Sequence, residues 1–484
     1  MRRRLLKAGK RWLILSHRWL GIVLGLFFAL WIGSGLVMLY VPFPSLSEPE
    51  RLARLAPIAW EQVTVSPDSA LVASGVPRPP ANFELHMRAG EPVYRLASPA
   101  GEPLTISGRT GKPVGTASAA EALVTAGGRG MSELVERDQW TVTQRYNRLR
   151  PFQKVALGDA AGTELYVSEK TGELAQKTTR FERGWNWVGS VIHWIYLTPI
   201  RARPELWHDV VVWISGFACL GALSGMVLGI WRIRLRRHYP HGDVSPYRGA
   251  ARWHHLFGIV GGVTLTTFII SGWLSMNPNA WFNSRTPPTD WLSAYAGEGA
   301  PVGLDPSTLR ERASPDAKSV RFTRLGGRWL IQSLGSGEEK VKGADGGPVS
   351  EDEILRAAIR AVPAPHPPTV ERLSEYDVYY YAVHGDRVLP VLRLRFEDEE
   401  ATWLHIDPAT GQILDRLDRS GRLDRWLFSA LHRFDLPLLL VHPSARHALH
   451  WLLNGLAAII ALTGLIIGWR RLNKPRRRPS RRAA

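Results

Sequence analysis

Four long apolar stretches divide the chain, and long polar regions separate the first from the second and the third from the fourth. The apolar stretches cover residues 13–40, 207–231, 253–276 and 447–469. Each is long enough for a transmembrane helix, which needs about 20 mostly apolar residues. The first follows basic residues, as in a signal peptide, but it is too long and no A-x-A site follows, so we expect an uncleaved anchor. The pattern predicts an all-α bundle of four transmembrane helices.

The two polar regions, 41–184 and 277–421, have the features of α+β domains. Runs rich in β-branched and aromatic residues predict strands at 92–97, 164–168, 328–332, 377–383, 391–396 and 402–406. Helical runs follow equivalent turns at 118–126 and 350–362, and Pro-rich breaks at 77–80 and 363–368 indicate loops. An amphipathic interfacial helix is predicted after each domain, within 185–206 and 422–446.

The two halves of the chain are copies of one another. Residues 151–231 align with 390–470 without a gap at a shift of 239 positions, and the first span aligns with the third at a shift of 237. Each copy has the order span, outer domain, span, and both copies enter the membrane from the same side. We therefore expect two parallel repeats related by a pseudo-two-fold axis along the membrane normal.

The basic residues favour one orientation in the membrane. The net charge is +18, and basic runs occupy the segments 1–12, 232–252 and 470–484, each next to an apolar stretch. By the positive-inside rule, these segments are expected in the cytoplasm and the two polar domains in the periplasm, with the chain in a bacterial inner membrane. This placement indicates the lipid bilayer, and not nucleic acid, as the partner of the basic residues.

The single cysteine, Cys219, restricts the possible cofactors. It excludes a disulfide within the chain and every site that needs four cysteine ligands. No C-x-x-C-H sequence occurs, so covalent c-type haem is excluded as well.

Six of the 15 histidines lie near the rims of the predicted spans and are matched by the repeat. They are His17 with His254 at the inner rim, and His193 with His432 and His208 with His447 at the outer rim. A histidine in a membrane is costly without a partner, and neutral imidazole is a common axial ligand of haem iron. We therefore expect two haem b groups, with His17 and His254 as axial ligands of the inner one and His208 and His447 of the outer one.

Several assignments stay open at this point. His193 and His432 can replace the span-initial pair as ligands, hold haem propionates or line a substrate pocket. Two neighbours compete with the assigned ligands: His255 with His254, and His450 with His447.

The other residues of interest have simpler expectations. The remaining histidines, His86 and His405 among them, are expected on the solvated surface. Glycines of the first and third spans, such as Gly21 and Gly258, serve either close helix packing or room for a porphyrin face.

Three motifs resemble the PepSY-associated transmembrane family. They are HRWLGIVLGLFFALWIGSGLV at 17–37, the paired strand–turn sequences LYVSEKTG and LHIDPATG, and the histidine before each returning span. The likeness extends over nearly the whole chain. The family includes inner-membrane proteins of iron uptake, among them siderophore reductases with two b-type haems. The resemblance implies PepSY-like periplasmic domains and reduction of a ferric siderophore or another ferric chelate.

Together these features predict a haem-dependent ferric-siderophore reductase. Electrons are expected to enter at the inner haem, cross to the outer haem and leave to a ferric siderophore docked between the outer domains. No catalytic acid or base is predicted. No G-x-G-x-x-G after a strand and no P-loop occurs, so the expected electron donor is a quinol or a separate cytoplasmic reductase.

Two alternative functions remain. One is a non-enzymatic PepSY-type envelope regulator that binds a partner protein. The other is an iron-chelate transporter, although the spans contain few polar residues and no Pro-broken helix, which transport sites often use.

Overall fold

The computed structural model describes residues 2–76, 80, 82–98, 100–240, 242–299, 301–335, 340–383 and 387–473. Most of the predicted basic tail and of the Pro-rich break at 77–80 lies outside the described residues. The chain divides into two compact units. The helical unit consists of Met1–Phe43, Trp185–Trp281 and Leu423–Ala484, and the sheet unit of Pro44–Gly184 and Phe282–Arg422.

The α-helices, in chain order, are α1 (Arg2–Met38), α2 (Glu48–Arg54), α3 (Pro67–Ser74), α4 (Ala119–Thr125), α5 (Arg180–Val188), α6 (Ser190–His193), α7 (Thr198–Arg201), α8 (Pro204–Arg232), α9 (Ala250–Val260), α10 (Gly262–Leu274), α11 (Thr289–Ala296), α12 (Pro306–Arg312), α13 (Glu351–Ala361), α14 (Arg419–Asp424), α15 (Leu431–Arg433), α16 (Pro437–Leu440) and α17 (Pro443–Leu472). Short 3₁₀ turns cover Trp60–Gln62, Gln144–Tyr146 and Pro278–Ala280, and a π-helix covers Arg425–Ala430.

The β-strands are β1 (Asn82–Arg88), β2 (Glu91–Ala97), β3 (Pro103–Ser107), β4 (Met131–Val135), β5 (Phe152–Ala156), β6 (Glu164–Ser168), β7 (Leu174–Thr178), β8 (Ser319–Leu325), β9 (Arg328–Leu334), β10 (Lys340–Gly343), β11 (Thr369–Leu373), β12 (Val391–Arg395), β13 (Trp403–Ile406) and β14 (Ile413–Leu417).

Within the described residues, three helices of the helical unit are long and apolar enough to cross a membrane: Lys7–Met38 within α1, α8 and α17. Helix α1 packs against α8 and α17, while α8 also packs against α10 and α17 against α9. Large apolar side chains such as Val23, Trp213 and Leu462 remain exposed on these helices. Exposed apolar surface of this kind is typical of a membrane protein. The first, second and fourth predicted spans are therefore confirmed as helices of membrane-spanning length and composition.

The third predicted span is a bent pair of helices and not one straight helix. Helices α9 and α10 meet at Gly261 with a bend of 67°, and they make a fourth span only if the pair crosses as one. A Cβ on Gly261 would lie 3.0 Å from Leu456 Cβ, and one on Gly262 would lie 2.5 Å from Met226 Sδ. Adjacent glycines allow helix kinks and close packing. At the matching place in α1, Leu24 precedes a glycine and the helix continues.

The two predicted interfacial helices are each broken into short pieces. The first consists of α5, α6 and α7, and the second of α14, the π-helix, α15 and α16. Gly189 has non-helical dihedral angles and separates α5 from α6. Ile195 and Phe434, which are equivalent in the repeat, both adopt positive φ angles of 54° and 51°. Positive φ is unfavourable for residues with a bulky side chain. In both repeats the chain adopts it two residues after the outer histidine, where it turns sharply.

One six-stranded antiparallel sheet joins the two predicted outer domains into the single sheet unit. Its strand order is β10-β9-β8-β1-β2-β3. At its centre β1 pairs with β8, and Glu84 lies opposite Arg321. These two residues are 237 positions apart, which is the shift that relates the first and third spans, so the pseudo-two-fold axis of the sheet unit passes between them.

Each half of the sheet unit also has a four-stranded antiparallel sheet, in the order β4-β5-β6-β7 and β11-β12-β13-β14. Both sheets are irregular at the same repeat position, between Tyr166 and Val167 and between His405 and Ile406. Ala122 of α4 packs with the first sheet, and Ile354 of α13 with the second. The sheets and helices confirm the predicted α+β character.

The strand predicted at 377–383 is wrong, because local hydrogen bonds hold this segment in an irregular turn. The Asp377 carboxylate accepts hydrogen bonds from the backbone N–H groups of Tyr379, at 2.9 Å, and Tyr380, at 2.7 Å. It also forms an ion pair with the buried Arg393 at 2.6 Å. A carboxylate that binds the backbone two and three residues ahead favours a turn over a strand.

The expectation that His86 and His405 lie on the surface is also wrong. Both are buried in the sheet unit, with 3% and 0% of their surface exposed. Arg393 Nε donates to His405 Nε2 over 2.8 Å, so the proton of this neutral imidazole lies on Nδ1. Burial, assisted by Arg393, lowers the pKa of His405 to about 3. The pKa of His86 is lowered to about 3 as well, mainly by burial.

We predict that the His405→Gln variant makes the second four-stranded sheet less sensitive to acid. Below the ordinary pKa of about 6.5 the unfolded chain takes up a proton that the folded chain refuses, so stability falls as the pH falls. The substitution should remove about 1.4 kcal/mol per pH unit from the pH dependence of the free energy of opening between about pH 4 and 6. Hydrogen exchange of the β12 and β13 amides in the full-length protein, corrected for intrinsic rates, measures this. The exposed His366→Gln serves as control, and an equal slope in both variants would contradict the prediction.

Candidate functional site

One histidine of α1 and one of α9 face each other in the helical unit. His17 of α1 and His254 of α9 have ring centres 6.3 Å apart, with an angle of 37° between the ring planes. The structure therefore brings together the two residues that were predicted as the inner pair. They are named the span pair below.

Hydrogen bonds determine which ring nitrogen of His17 carries a proton. Its Nδ1 lies 3.1 Å from the backbone oxygen of Gly221 and 3.3 Å from the hydroxyl oxygen of Ser224. The hydroxyl itself donates to the Gly221 oxygen over 2.8 Å. A carbonyl oxygen only accepts, so Nδ1 must be the donor. In the neutral ring the lone pair then lies on Nε2, which is the nitrogen available to a metal.

The same arrangement holds four histidines. In each case a helix offers a backbone carbonyl, a hydroxyl three residues later and a glycine one residue after the hydroxyl. We name this group the hydroxyl–glycine seat. The four seats are Gly221, Ser224 and Gly225 for His17; Ile460, Thr463 and Gly464 for His254; Trp31, Ser34 and Gly35 for His193; and Phe268, Ser271 and Gly272 for His432. In all four the distances from Nδ1 to the carbonyl and hydroxyl oxygens lie between 3.0 and 3.3 Å.

The glycine of each seat leaves room for the imidazole. A Cβ on Gly225 would lie 2.7 Å from Cε1 of His17, and one on Gly464 would lie 3.2 Å from Cε1 of His254. The glycine beside His432, Gly272, has the same spacing of 3.2 Å. A larger residue would push the ring away from the carbonyl that orients it. Glycine is therefore part of the seat and not only a helix-packing residue.

Two further histidines form a second pair on the short helices. His193 of α6 and His432 of α15 have ring centres 6.2 Å apart and planes at 65°. Their seats lie in α1 and α10, so each short helix places its histidine against a long helix. The ring of Phe428 stacks on His432 with centres 5.3 Å apart. His193 and His432 are named the short-helix pair below.

His208 and His447, predicted as the outer axial ligands, are held differently. The Nε2 atom of His208 lies 3.0 Å from the Met276 carbonyl oxygen, and its side chain is 42% exposed. The ring of His447 packs edge-on against Tyr40, with centres 5.4 Å apart. Because the predicted interfacial helices are broken, the residues that face each other are His193 and His432. The pairing of His208 with His447 as outer ligands stays a prediction, and the pair that the structure brings together is the alternative one, His193 with His432.

The competing histidines are engaged elsewhere. His255 bonds through Nδ1 to Ser245 at 2.8 Å and through Nε2 to the Gly229 carbonyl at 3.0 Å, which leaves neither nitrogen free. The Nε2 atom of His450 lies 3.1 Å from the Arg433 carbonyl oxygen. The choice between His254 and His255 falls on His254.

A cavity of about 440 Å³ adjoins the span pair. Most of its wall residues occur as equivalent pairs of the two repeats on α1, α8, α9, α10 and α17. Gly21 and Gly258, which are equivalent, line it and have no neighbour within 4 Å of a built Cβ. Volumes of 300–1,000 Å³ are usual for small-molecule and cofactor sites. The two glycines leave open space where side chains would fill the cavity.

The span pair and its cavity fit a b-type haem. Two imidazoles on a line through a metal, with bonds of about 2.0 Å, have ring centres about 6 Å apart, which both pairs match. Among the residues that the structure describes, no group of three or more His, Cys, Asp or Glu could hold a metal ion. A haem needs only axial ligands from the protein, because the porphyrin supplies the other four. Two opposed imidazoles are therefore a sufficient ligand set for haem at either pair, though not for a bare metal ion.

Sequence reasoning did not identify the hydroxyls of the seats. Ser34-Gly35 and Ser271-Gly272 match in the repeat, but neither they nor Ser224-Gly225 were predicted to contact a histidine. The available signal was a hydroxyl residue followed by glycine in all four apolar stretches, each at a matching position. Which histidine uses which dipeptide depends on the packing of helices far apart in the chain.

Comparison with protein-family models and with curated proteins finds no match to this chain.

We predict that Gly225→Ala weakens haem retention at the span pair alone. The new Cβ would overlap Cε1 of His17, and overpacking of this kind costs about 1–3 kcal/mol, which corresponds to roughly 5- to 150-fold in affinity. Haem content per chain, measured by pyridine haemochrome after gel filtration, reports the loss. Gly455→Ala is the control, because no atom lies within 4 Å of its built Cβ. Equal haem content in the two variants would show that the glycine is not needed.

We predict that Thr463→Val raises the reduction potential of a haem held by the span pair and does not release this haem. The Ile460 carbonyl still accepts from Nδ1 of His254 at 3.0 Å. Loss of the second acceptor makes the imidazole a weaker electron donor, which favours the reduced metal. A spectroscopic redox titration measures the shift. Thr264→Val, on α10 and away from the cavity lining, is the matched control. Equal reduction potentials in Thr463→Val and Thr264→Val would contradict the prediction.

Proposed function

We propose that this chain is a membrane electron-transfer protein with two haem b groups that reduces a ferric chelate outside the cytoplasm. His17 and His254 would hold one haem, and His193 and His432 the other. When bound, haem b supplies a one-electron carrier whose iron alternates between ferric and ferrous states. The chain itself contributes the axial nitrogens, their tautomers and an apolar enclosure.

The observation that carries this proposal is the repeated geometry of the two pairs. In both, equivalent histidines of the two repeats face each other at 6.2–6.3 Å, and each is fixed by Nδ1 so that Nε2 is left for a metal. Chance surface histidines have no reason to share a carbonyl, a hydroxyl and a glycine in four separate seats. The arrangement supports bis-imidazole ligation more directly than the sequence spacing did.

The positions of the pairs along α1 support electron transfer between them. His17 and the seat that begins at Trp31 lie on this one continuous helix, Arg2–Met38. The difference of fourteen positions between His17 and Trp31 corresponds to about 21 Å at a rise of 1.5 Å per residue. The two haems would therefore be held at different levels along one helix.

The acceptor and the orientation rest on other grounds. A ferric siderophore is proposed because the chain resembles the PepSY-associated transmembrane family, whose reductases act on such chelates. The cytoplasmic placement of the three basic segments follows from the positive-inside rule. A quinol or a separate cytoplasmic reductase is the proposed electron donor.

Transport of an iron chelate is a second candidate, and the bend at Gly261 is the observation that favours it. Broken helices next to a cavity are common at transport sites, and Gly262 and Thr266 of α10 line the cavity beside the span pair. Sequence reasoning considered only proline as a cause of a broken helix. Accumulation of iron chelate in vesicles without any reductant would favour transport over reduction.

We predict two haems per chain in the wild type and one in each of two variants, His17→Ala and His432→Ala. Each substitution removes one axial ligand from a different pair. His447→Ala is the control and should retain both, because its ring packs against Tyr40. Pyridine haemochrome gives the stoichiometry, and the dithionite-reduced spectrum should show a b-type α band. Reduction of a ferric hydroxamate by the protein in liposomes, followed with a ferrous-specific dye, tests the activity.

Three outcomes of this experiment would decide against parts of the proposal. A colourless wild-type protein would remove the haem hypothesis. Loss of a haem in His447→Ala but not in His432→Ala would restore the original outer assignment. Full haem content without reduction of any ferric chelate would contradict the proposed acceptor and would leave only the proposal of haem-based electron transfer.

A further inference from the structure

The cavity beside the span pair is nearly symmetric, but its rim is not. Most lining positions occur as equivalent pairs, such as Gly21 with Gly258 and Gly225 with Gly464. Two arginines are among the lining residues that depart from this pattern. Arg18 of α1 has His255 as its equivalent in α9, and Arg471 of α17 has Arg232 as its equivalent in α8. Arg18 and Arg471 line the cavity, whereas Arg232 does not.

The two arginines lie at the same level on neighbouring helices. A Cβ on Gly468 of α17 would lie 3.5 Å from Ile22 Cγ1 of α1, and one on Gly25 would lie 3.3 Å from Leu465 Cδ2. The helices therefore run antiparallel here, and one further turn brings Arg18 level with Arg471. Both side chains are at the cavity mouth and are exposed.

Neither arginine is neutralised by an acid within the part of the chain that the structure describes. The three basic segments contain a single acidic residue, Asp243, and it is already paired with Arg252. On the opposite side of the cavity, His255 is buried and bonded through both nitrogens. Within the described residues the rim thus has two guanidinium groups without an acidic partner on the α1–α17 side. At the position equivalent to Arg18 it has an imidazole with both nitrogens engaged in hydrogen bonds.

From this asymmetry we infer that Arg18 and Arg471 form the binding subsite for the two carboxylates of the haem held by the span pair. This inference rests on the proposed haem function. A haem carries both propionates on one edge, and a carboxylate buried in an apolar cavity without a partner is costly. Guanidinium groups bind carboxylates with paired, charge-assisted hydrogen bonds. The haem therefore enters in one orientation, with its carboxylate edge between α1 and α17.

The positive charge expected at this end of the helices does not by itself explain why Arg18 and Arg471 line the cavity. The positive-inside rule requires arginines near the helix ends, but it does not require them to line a cavity. Arg232 meets the rule at the end of α8 without lining the cavity. This makes Arg232→Gln a control with the same charge change at an equivalent position.

The test is haem transfer from the purified full-length protein to apomyoglobin. Arg18→Gln and Arg471→Gln should each release the haem of the span pair about 3-fold faster than the wild type, and the double variant about 10-fold faster. Arg232→Gln should release it at the wild-type rate, and Arg471→Lys should recover most of the retention. The haem of the short-helix pair, which stays bound in the same sample, reports that the variants are folded.

The outcomes separate this inference from the proposed function. Wild-type protein without haem would remove the proposed function itself. A second outcome would overturn the subsite alone. In it the wild type contains haem and His17→Ala loses one haem, but all the arginine variants release the haem of the span pair at the same rate. Equal acceleration in Arg232→Gln would overturn it too, because charge at the helix ends would then suffice.

Discussion

The hydrogen bond from imidazole Nδ1 to a backbone carbonyl is the interaction on which the organisation of the helical unit depends. It fixes the tautomer, points Nε2 away from the helix that provides the seat and couples residues far apart in the chain, such as His17 and Gly221 at 3.1 Å. A backbone carbonyl inside a helix normally accepts from the N–H of the residue four positions later, but it has a second lone pair that can accept a side-chain donor. The histidine uses this second position, and the glycine four residues after the carbonyl lets the ring approach.

The duplication explains how such a paired site can arise from a single one. One seat design placed in each copy gives two facing imidazoles, because the pseudo-two-fold relation turns one ligand toward the other. The same relation appears in the sheet unit, where Glu84 of β1 lies opposite its own equivalent Arg321 of β8. The two copies also depart from this symmetry. The bend at Gly261 and the change from Arg18 to His255 give the two halves of one cavity different properties.

Much of the architecture could be predicted from periodicity and repetition. The apolar runs located the three long helices, and the strand at 164–168 agrees with β6, because both depend on local side-chain patterns. The bend between α9 and α10 could not be predicted in this way, since two glycines in an apolar run are equally compatible with a straight, closely packed helix. The strand expected at 377–383 failed for a local reason, the turn formed by Asp377.

The histidines show where sequence reasoning reaches its limit. Spacing identified all six rim histidines and paired His17 with His254, because equivalent residues on duplicated helices tend to face each other. At the outer rim it left two pairs open, His208 with His447 and His193 with His432, and the structure brings the second of these pairs together. Whether a histidine on a broken, short helix reaches a long helix depends on left-handed turns at Ile195 and Phe434, where sequence preference alone gives no warning. A hydroxyl followed by glycine is a better guide, since both residues contact the ring, and a search for that dipeptide opposite a matched histidine would have favoured His193 and His432 over His208 and His447.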